Sequence, residues 1–203
     1  MKLNNSSLLG TVLDKTEIEA LIFDMDGTLV DTLPVHYAAW LKACSEHNVH
    51  FSMEYFIKLT GRPALELSKD IIRDFNVPME PMELWEKKEA LVKGQFNRME
   101  VFPAIAEVIS HFHKKVPMAV GTGATKAMAT DILELTKIDH YFDYIVTSDD
   151  VQNYKPHPET FLKSADFFGV DPSKCLVFED GQLGIDAAKE AGMMVIDVKP
   201  FYS

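Results

Sequence analysis

The chain has 203 residues, a formal net charge of -11, and a composition 47% hydrophobic and 25% charged, which is room for one sizeable core plus a small second domain in a globular protein. The acidic balance argues against a nucleic-acid partner, because binding a polyanion rests on Lys and Arg; a small phosphate ester stays open, since one metal and a few placed cations reverse the field locally. The 2 cysteines, Cys44 and Cys175, make neither a disulfide framework nor a zinc site, so a reducing, cytoplasmic setting is expected.

In chain order, residues 1–16 lack the continuous apolar run of a signal peptide and are expected to be loosely held. No stretch approaches the roughly 18 consecutive apolar residues of a membrane helix. The first element is the run Leu21-Ile22-Phe23, which ends in Asp24-Met25-Asp26-Gly27-Thr28-Leu29-Val30-Asp31-Thr32. A short apolar run flanked by charge reads as a buried parallel strand, and in open α/β sheets the ligand crevice lies at the carboxyl ends of such strands. Acids at i and i+2 of an extended segment face the same way and repel unless a cation separates them. Oxygen ligands at a partly hydrated site favour magnesium. A lone DxD after a strand would be an ordinary turn.

From 33 to 99 helical periodicity replaces strand runs. Leu67, Ile71 and Phe75 form one stripe and Trp85, Glu89, Val92 and Phe96 another, with breaks at Thr60-Gly61-Arg62-Pro63 and at residues 77–81. From Val101 helix and strand alternate. The spacing predicts a helix striped by Ile105, Val108, Ile109 and Phe112, a strand over Met118–Gly121, a helix striped by Met128, Ile132 and Leu135, and a strand over Tyr144–Val146. A helix closed by Gly169, a strand over 175–178, a helix over 185–191 closed by Gly192, and a strand over 194–198 follow. Repeated βα units imply a three-layer, Rossmann-like parallel sheet. The opening strand must join that sheet, so residues 1–32 and 100–203 are expected to form a discontinuous α/β core and residues 33–99 an inserted all-helical cap.

Three later strand ends are polar. Gly121-Thr122-Gly123-Ala124-Thr125 offers backbone amides and a hydroxyl to an anion, although such a turn is often plain N-capping. Lys155 lies in Asn153-Tyr154-Lys155-Pro156-His157-Pro158-Glu159, where two prolines stiffen the chain and can aim a side chain that is normally a solvated charge. Phe178-Glu179-Asp180-Gly181 places two acids before a helix, where acids are common caps; beside Asp24 and Asp26 they complete a metal site.

These four stretches, in this order, resemble the motifs of the haloacid dehalogenase-like hydrolases, over essentially residues 17–200. The resemblance implies that Asp24 is a phosphoryl-accepting nucleophile, Asp26 a general acid and base, Thr122 a holder of the phosphoryl group with the Gly123 and Ala124 turn, and Lys155 a partner of both nucleophile and phosphate that lowers the Asp24 pKa. It also implies a magnesium site drawn from Asp24, Asp26, Glu179 and Asp180. Many relatives carry Ser where this chain has Gly181. An insert between the first and second motifs matches the helical-cap subgroup. The spacing Asp31-Thr32-x-x-x-His36-x-x-x-Trp40 looks most like the sugar-phosphate branch that includes β-phosphoglucomutase and the fructose-1-phosphate phosphatases. In that branch His36 would be a gate over the catalytic acid. Lys87 falls near a cap Lys that contacts a sugar phosphate, and Arg62 follows Gly61 in the substrate loop, two residues short of the mutase's phosphate-gripping Arg, where this chain has Ala64.

Taken singly, His36 reads equally as a half-exposed polar residue and Lys87 as the wet face of a helix. The function expected is a magnesium-dependent phosphatase that hydrolyses a small sugar phosphate, such as fructose 1-phosphate, through a phosphoaspartate. The alternatives are a β-phosphoglucomutase and a non-catalytic binding module. A monomer with no nucleic-acid or membrane partner is expected.

Overall fold

The computed structural model describes residues 7–15 and 17–202. Five parallel strands form one sheet: β1 (Ala20–Phe23), β2 (Met118–Gly121), β3 (Tyr144–Val146), β4 (Cys175–Glu179) and β5 (Met194–Asp197), in the order β3-β2-β1-β4-β5. β1 is central because all its residues are apolar and buried. Its alternation feeds two cores. Leu21 and Phe23 join the cluster under α1 (Leu8–Leu13), α6 (Pro103–Phe112) and α7 (Lys126–Leu135); Ala20 and Ile22 join the cluster under α8 (Glu159–Phe168) and α9 (Gln182–Glu190). Helices therefore cover both faces, as a parallel sheet requires. The register sets Phe23 beside Phe178, their rings stacked at 4.5 Å.

The chain runs from β1 to β2 and β3 on one side, then crosses to β4 and β5 on the other, so β1 sits at the switch point where an open sheet forms its crevice. Between β1 and α6 lie α2 (Leu33–Ala43), α3 (Met53–Leu59), α4 (Ala64–Phe75) and α5 (Pro81–Lys93). These bury their own cluster, which includes Trp40, Phe56, Leu67, Ile71 and Leu84. The passages out of and back into the sheet lie side by side. Val30 bridges Val101 in antiparallel fashion, Asp31 N donates to Glu100 O at 2.8 Å, and Phe102 N donates to Leu29 O at 3.1 Å.

Several expectations are corrected. Residues 8–13 are not loose but helical: Ser7 caps α1 by accepting from Gly10 N, and Leu8, Leu9 and Val12 are buried. Residues 1–6 and 16 of that stretch lie outside the described residues. Leu135 sits at the edge of the inward face of α7, in its last turn, and is 57% exposed, while Ala129 and Leu133 turn inward with Met128 and Ile132. Phe96 lies beyond the end of α5. α9 begins at Gln182, directly after the β4 acids, so its first turn belongs to the site. Among the described residues no helix is long and apolar enough to cross a membrane.

Candidate active site

The site starts where β1 stops. Asp24 N still donates to Phe178 O at 3.0 Å, holding the first acid in line with the sheet, and then the chain turns. Gly27 carries φ +86, and a Cβ there would lie 2.7 Å from Asp180 Oδ2, so this turn needs glycine both for its left-handed backbone and for the acid packed on it.

Lys155 enters from the loop after β3 and is 2% exposed. Its Nζ donates to Asp24 Oδ1 at 2.7 Å and to Glu179 Oε2 at 2.8 Å, 4.7 Å from the Phe161 ring centroid. Glu179, at the end of β4, uses its other oxygen to accept from Asp180 N at 3.2 Å and Gly181 N at 2.9 Å. A Cβ at Gly184 would lie 1.9 Å from Glu179 Oε2, so the first turn of α9 must carry a bare residue there. Asp180 Oδ1 accepts from Thr28 Oγ1 at 3.0 Å. The carbonyl of Thr28 accepts from Tyr202 OH, and the Tyr202 ring stacks on Phe102 at 3.8 Å.

Burial dominates the electrostatics. It pushes Asp24 up; Lys155 pulls it down, as expected, and Asp26 pushes it up, and desolvation outweighs the lysine. Glu179 is pushed up to about 8 and Asp180 to about 7 by burial first and by the Asp24 charge second. Burial works against the Lys155 charge, but Asp24 and Glu179 outweigh it and hold the ammonium well above its ordinary value. Three buried carboxyls that resist ionising side by side are what a cation relieves. Asp24, Glu179 and Asp180 each offer an oxygen within 4.8 Å of the others, a hard-donor set that fits magnesium. Glu179 already has both oxygens engaged, so its geometry suits orienting Lys155 and the turn more than direct coordination.

Asp26 faces elsewhere. Its Oδ1 accepts from Thr32 Oγ1 at 2.6 Å and lies 3.2 Å from His36 Nε2, and its Oδ2 lies 3.5 Å from Thr122 Oγ1. The i, i+2 argument fails here because the strand ends at Phe23, before it reaches Asp26. Burial pushes Asp26 up, but hydrogen bonds from His36 and Thr32 outweigh it and hold the carboxyl below its usual range. Burial lowers His36, and the nearby Lys88 lowers it further. Thr122 Oγ1 accepts from Ala124 N at 3.0 Å. A Cβ on Gly123 would come within 2.9 Å of Gly61 O, so the core touches the helical layer at backbone distance.

A pocket, open at its mouth, lies between the strand tips and the helices. Asp24, Asp26, His36, Arg62, Gly123 and Ala124 line it together with Ala64. Lys87 does not; it points outward and pairs with Glu46 at 2.8 Å. Its neighbour Lys88 lines the pocket instead and is 3% exposed. The signal was present in the helical period: Lys88 stands three residues after Trp85 on the Trp85–Val92 face, whereas Lys87 does not. Trp40, Trp85 and Glu89 are further wall residues, and Thr28 and Thr32 further supports; the motifs and stripes contain them, but no role in the site was expected of them.

The family model described as haloacid dehalogenase-like hydrolase matches residues 21–198. Fructose-1-phosphate phosphatase YqaB of Escherichia coli is 39% identical over 88% of this chain and 95% of its own length. A phosphorylated carbohydrates phosphatase of Thermotoga maritima is 30% identical over 87% and 82% respectively. The crystal structure of β-phosphoglucomutase from Clostridium difficile superposes with a TM-score of 0.79 at 28% identity, over 88% of this chain and 83% of that one.

Proposed function

The chain belongs to the haloacid dehalogenase-like hydrolases, and we propose that it is a magnesium-dependent phosphoric monoester hydrolase acting on a small sugar phosphate such as fructose 1-phosphate. The observation that carries this reading is Asp24: a buried carboxylate at the switch point of the sheet, gripped on Oδ1 by Lys155 at 2.7 Å, at the floor of a capped pocket. The named phosphatases among the relatives support the substrate class.

In this mechanism an Asp24 oxygen attacks phosphorus while the ester P–O bond breaks and Asp26 delivers a proton to the leaving sugar oxygen. The arriving phosphate dianion raises the Asp26 pKa, which makes the proton available. Water then attacks the phosphorus of the phosphoaspartate, Asp26 takes the proton of that water, and inorganic phosphate departs from a restored Asp24. Lys155 screens two anions as they meet, and Thr122 with the Gly123 and Ala124 turn holds the phosphoryl oxygens. Magnesium, held by Asp24 and Asp180 with Glu179 beside them, would neutralise charge on the transferring group. Residues 1–32 and 100–203 act as core and 33–99 as cap, a division supported by the separate hydrophobic cluster around Trp40. We read the protein as a cytoplasmic monomer, in keeping with its two buried free thiols and acidic charge.

Release of phosphate from p-nitrophenyl phosphate with magnesium, abolished by a chelator and restored by added magnesium, is the expected result; no hydrolysis would leave a binding module. A panel of hexose and pentose phosphates then ranks substrates. The β-phosphoglucomutase likeness favours a second reading. Supplied with β-glucose 1-phosphate and a trace of the 1,6-bisphosphate, the protein is expected to release phosphate faster than it forms glucose 6-phosphate, and the reverse would make it a mutase.

A further inference from the structure

The pocket cations nearest the helices are already neutralised. Lys88 Nζ donates to Glu89 Oε1 at 2.8 Å and lies 5.4 Å from the Trp40 ring centroid. Arg62 Nη2 donates to Asp70 Oδ2 at 2.8 Å; the other Asp70 oxygen lies 2.8 Å from Arg73 Nη1, and Arg73 Nε donates to Asp74 Oδ1 at 2.8 Å. Each group sums to zero charge. Among the described residues lining the pocket, Arg62 and Lys88 are the cations on this side. Beside them His36 is 8% exposed, and its Nδ1 has no hydrogen-bond partner among the described residues. Since Nε2 faces the Asp26 carboxylate at 3.2 Å, the neutral ring presents Nδ1 as an acceptor.

From this we infer that the cap end of the pocket selects an uncharged, hydroxyl-bearing end of a sugar monophosphate and rejects a second phosphoryl group, with Glu89 as the residue that sets the rejection. The inference rests on the phosphatase reading of the same site. A second phosphate here would meet the Glu89 carboxylate and, to reach Lys88, would have to break the Lys88–Glu89 pair and leave a buried charge unmatched. A hydroxyl meets no such obstacle. It donates to His36 Nδ1 or to Glu89 and accepts from the remaining Lys88 protons, while the C–H faces of a sugar pack on Trp40 and Trp85. Glu89 is thus a specificity residue on the helical wall of the pocket, on α5 rather than on the strand tips.

The test measures kcat/KM of the magnesium-loaded protein on fructose 1-phosphate and on fructose 1,6-bisphosphate. The monophosphate is expected to be favoured by roughly 100-fold. Glu89→Gln is expected to shrink that ratio about tenfold, mainly through a lower KM for the bisphosphate, because Lys88 is then free to pair with the second phosphate. Asp70→Asn frees Arg62 in the same direction and carries the test by itself should Glu89→Gln fail to fold. A purely structural role would lower both substrates alike, and that outcome would overturn the inference. Equal hydrolysis of both esters by the unaltered protein would also overturn it and leave the phosphatase reading standing. Hydrolysis of neither would remove the phosphatase reading and this inference together.

Discussion

At the strand tips Lys155 has two carboxylate partners within 2.8 Å and Glu179 uses both oxygens, whereas in the helical layer His36 Nδ1 has no partner among the described residues and Lys88 and Arg62 are balanced by their own neighbours. The first region is held from several directions by groups on β1, β4, the loop after β3 and α9, so its charges are fixed before any ligand arrives, which is how a site lowers a barrier without reorganising. The second region carries little fixed net charge and some unspent hydrogen-bonding capacity, which suits reading a ligand's shape and hydroxyls. Chemistry and recognition are thereby placed on different scaffolds, and substitutions should separate them.

Breaking the first region gives the largest effect. Asp24→Asn should lower kcat by on the order of 10⁴-fold or more with an unchanged circular dichroism spectrum, because the amide keeps the shape and loses the nucleophile; appreciable turnover would remove Asp24 from that role. Asp26→Asn should cost about 10²–10⁴-fold, more for a sugar phosphate than for p-nitrophenyl phosphate, whose leaving group needs no proton. An equal loss on both would contradict the acid role. Gly184→Ala inserts a methyl 1.9 Å from Glu179 Oε2. It should destabilise by about 1–3 kcal/mol and lower kcat roughly 10- to 100-fold as the Lys155 contact is displaced, read from thermal unfolding and initial rates.

The second region should respond in KM. Lys88→Ala should raise KM about 10- to 100-fold with little change in kcat, since it removes a charged donor from the wall. Lys87→Ala, beside it in sequence, should leave KM within about twofold, because it breaks an exposed pair with Glu46. Equal effects at the two lysines would erase the distinction between the faces of α5.

The same division explains what could be read from the chain alone. Every strand-tip residue lies in a short local pattern at the end of an apolar run, so Asp24, Thr122, Lys155 and Asp180 were legible as a set, as was the parallel α/β sheet that gathers them. Helix-borne residues had no such pattern. That Lys88 and not Lys87 faces inward is carried only by the period of the Trp85–Val92 stripe, and the pairing of Arg62 with Asp70 depends on how the chain turns into α4. α1 was missed because six residues carry too little periodicity to separate a short docked helix from a loose start. The shared facing of Asp24 and Asp26 was misread because a period-two argument was carried three residues past the end of β1.

The paired passages at Val30 and Val101 bear on how such a chain changes over generations. The helical layer leaves the sheet and returns at one hydrogen-bonded point, so its length, helix count and loops can drift without shifting the register of any strand, as with an inserted domain whose ends are adjacent. New contacts to a ligand can therefore be sampled in that segment alone, while the strand-tip carboxylates remain under the stricter constraint of a sheet that tolerates no slip.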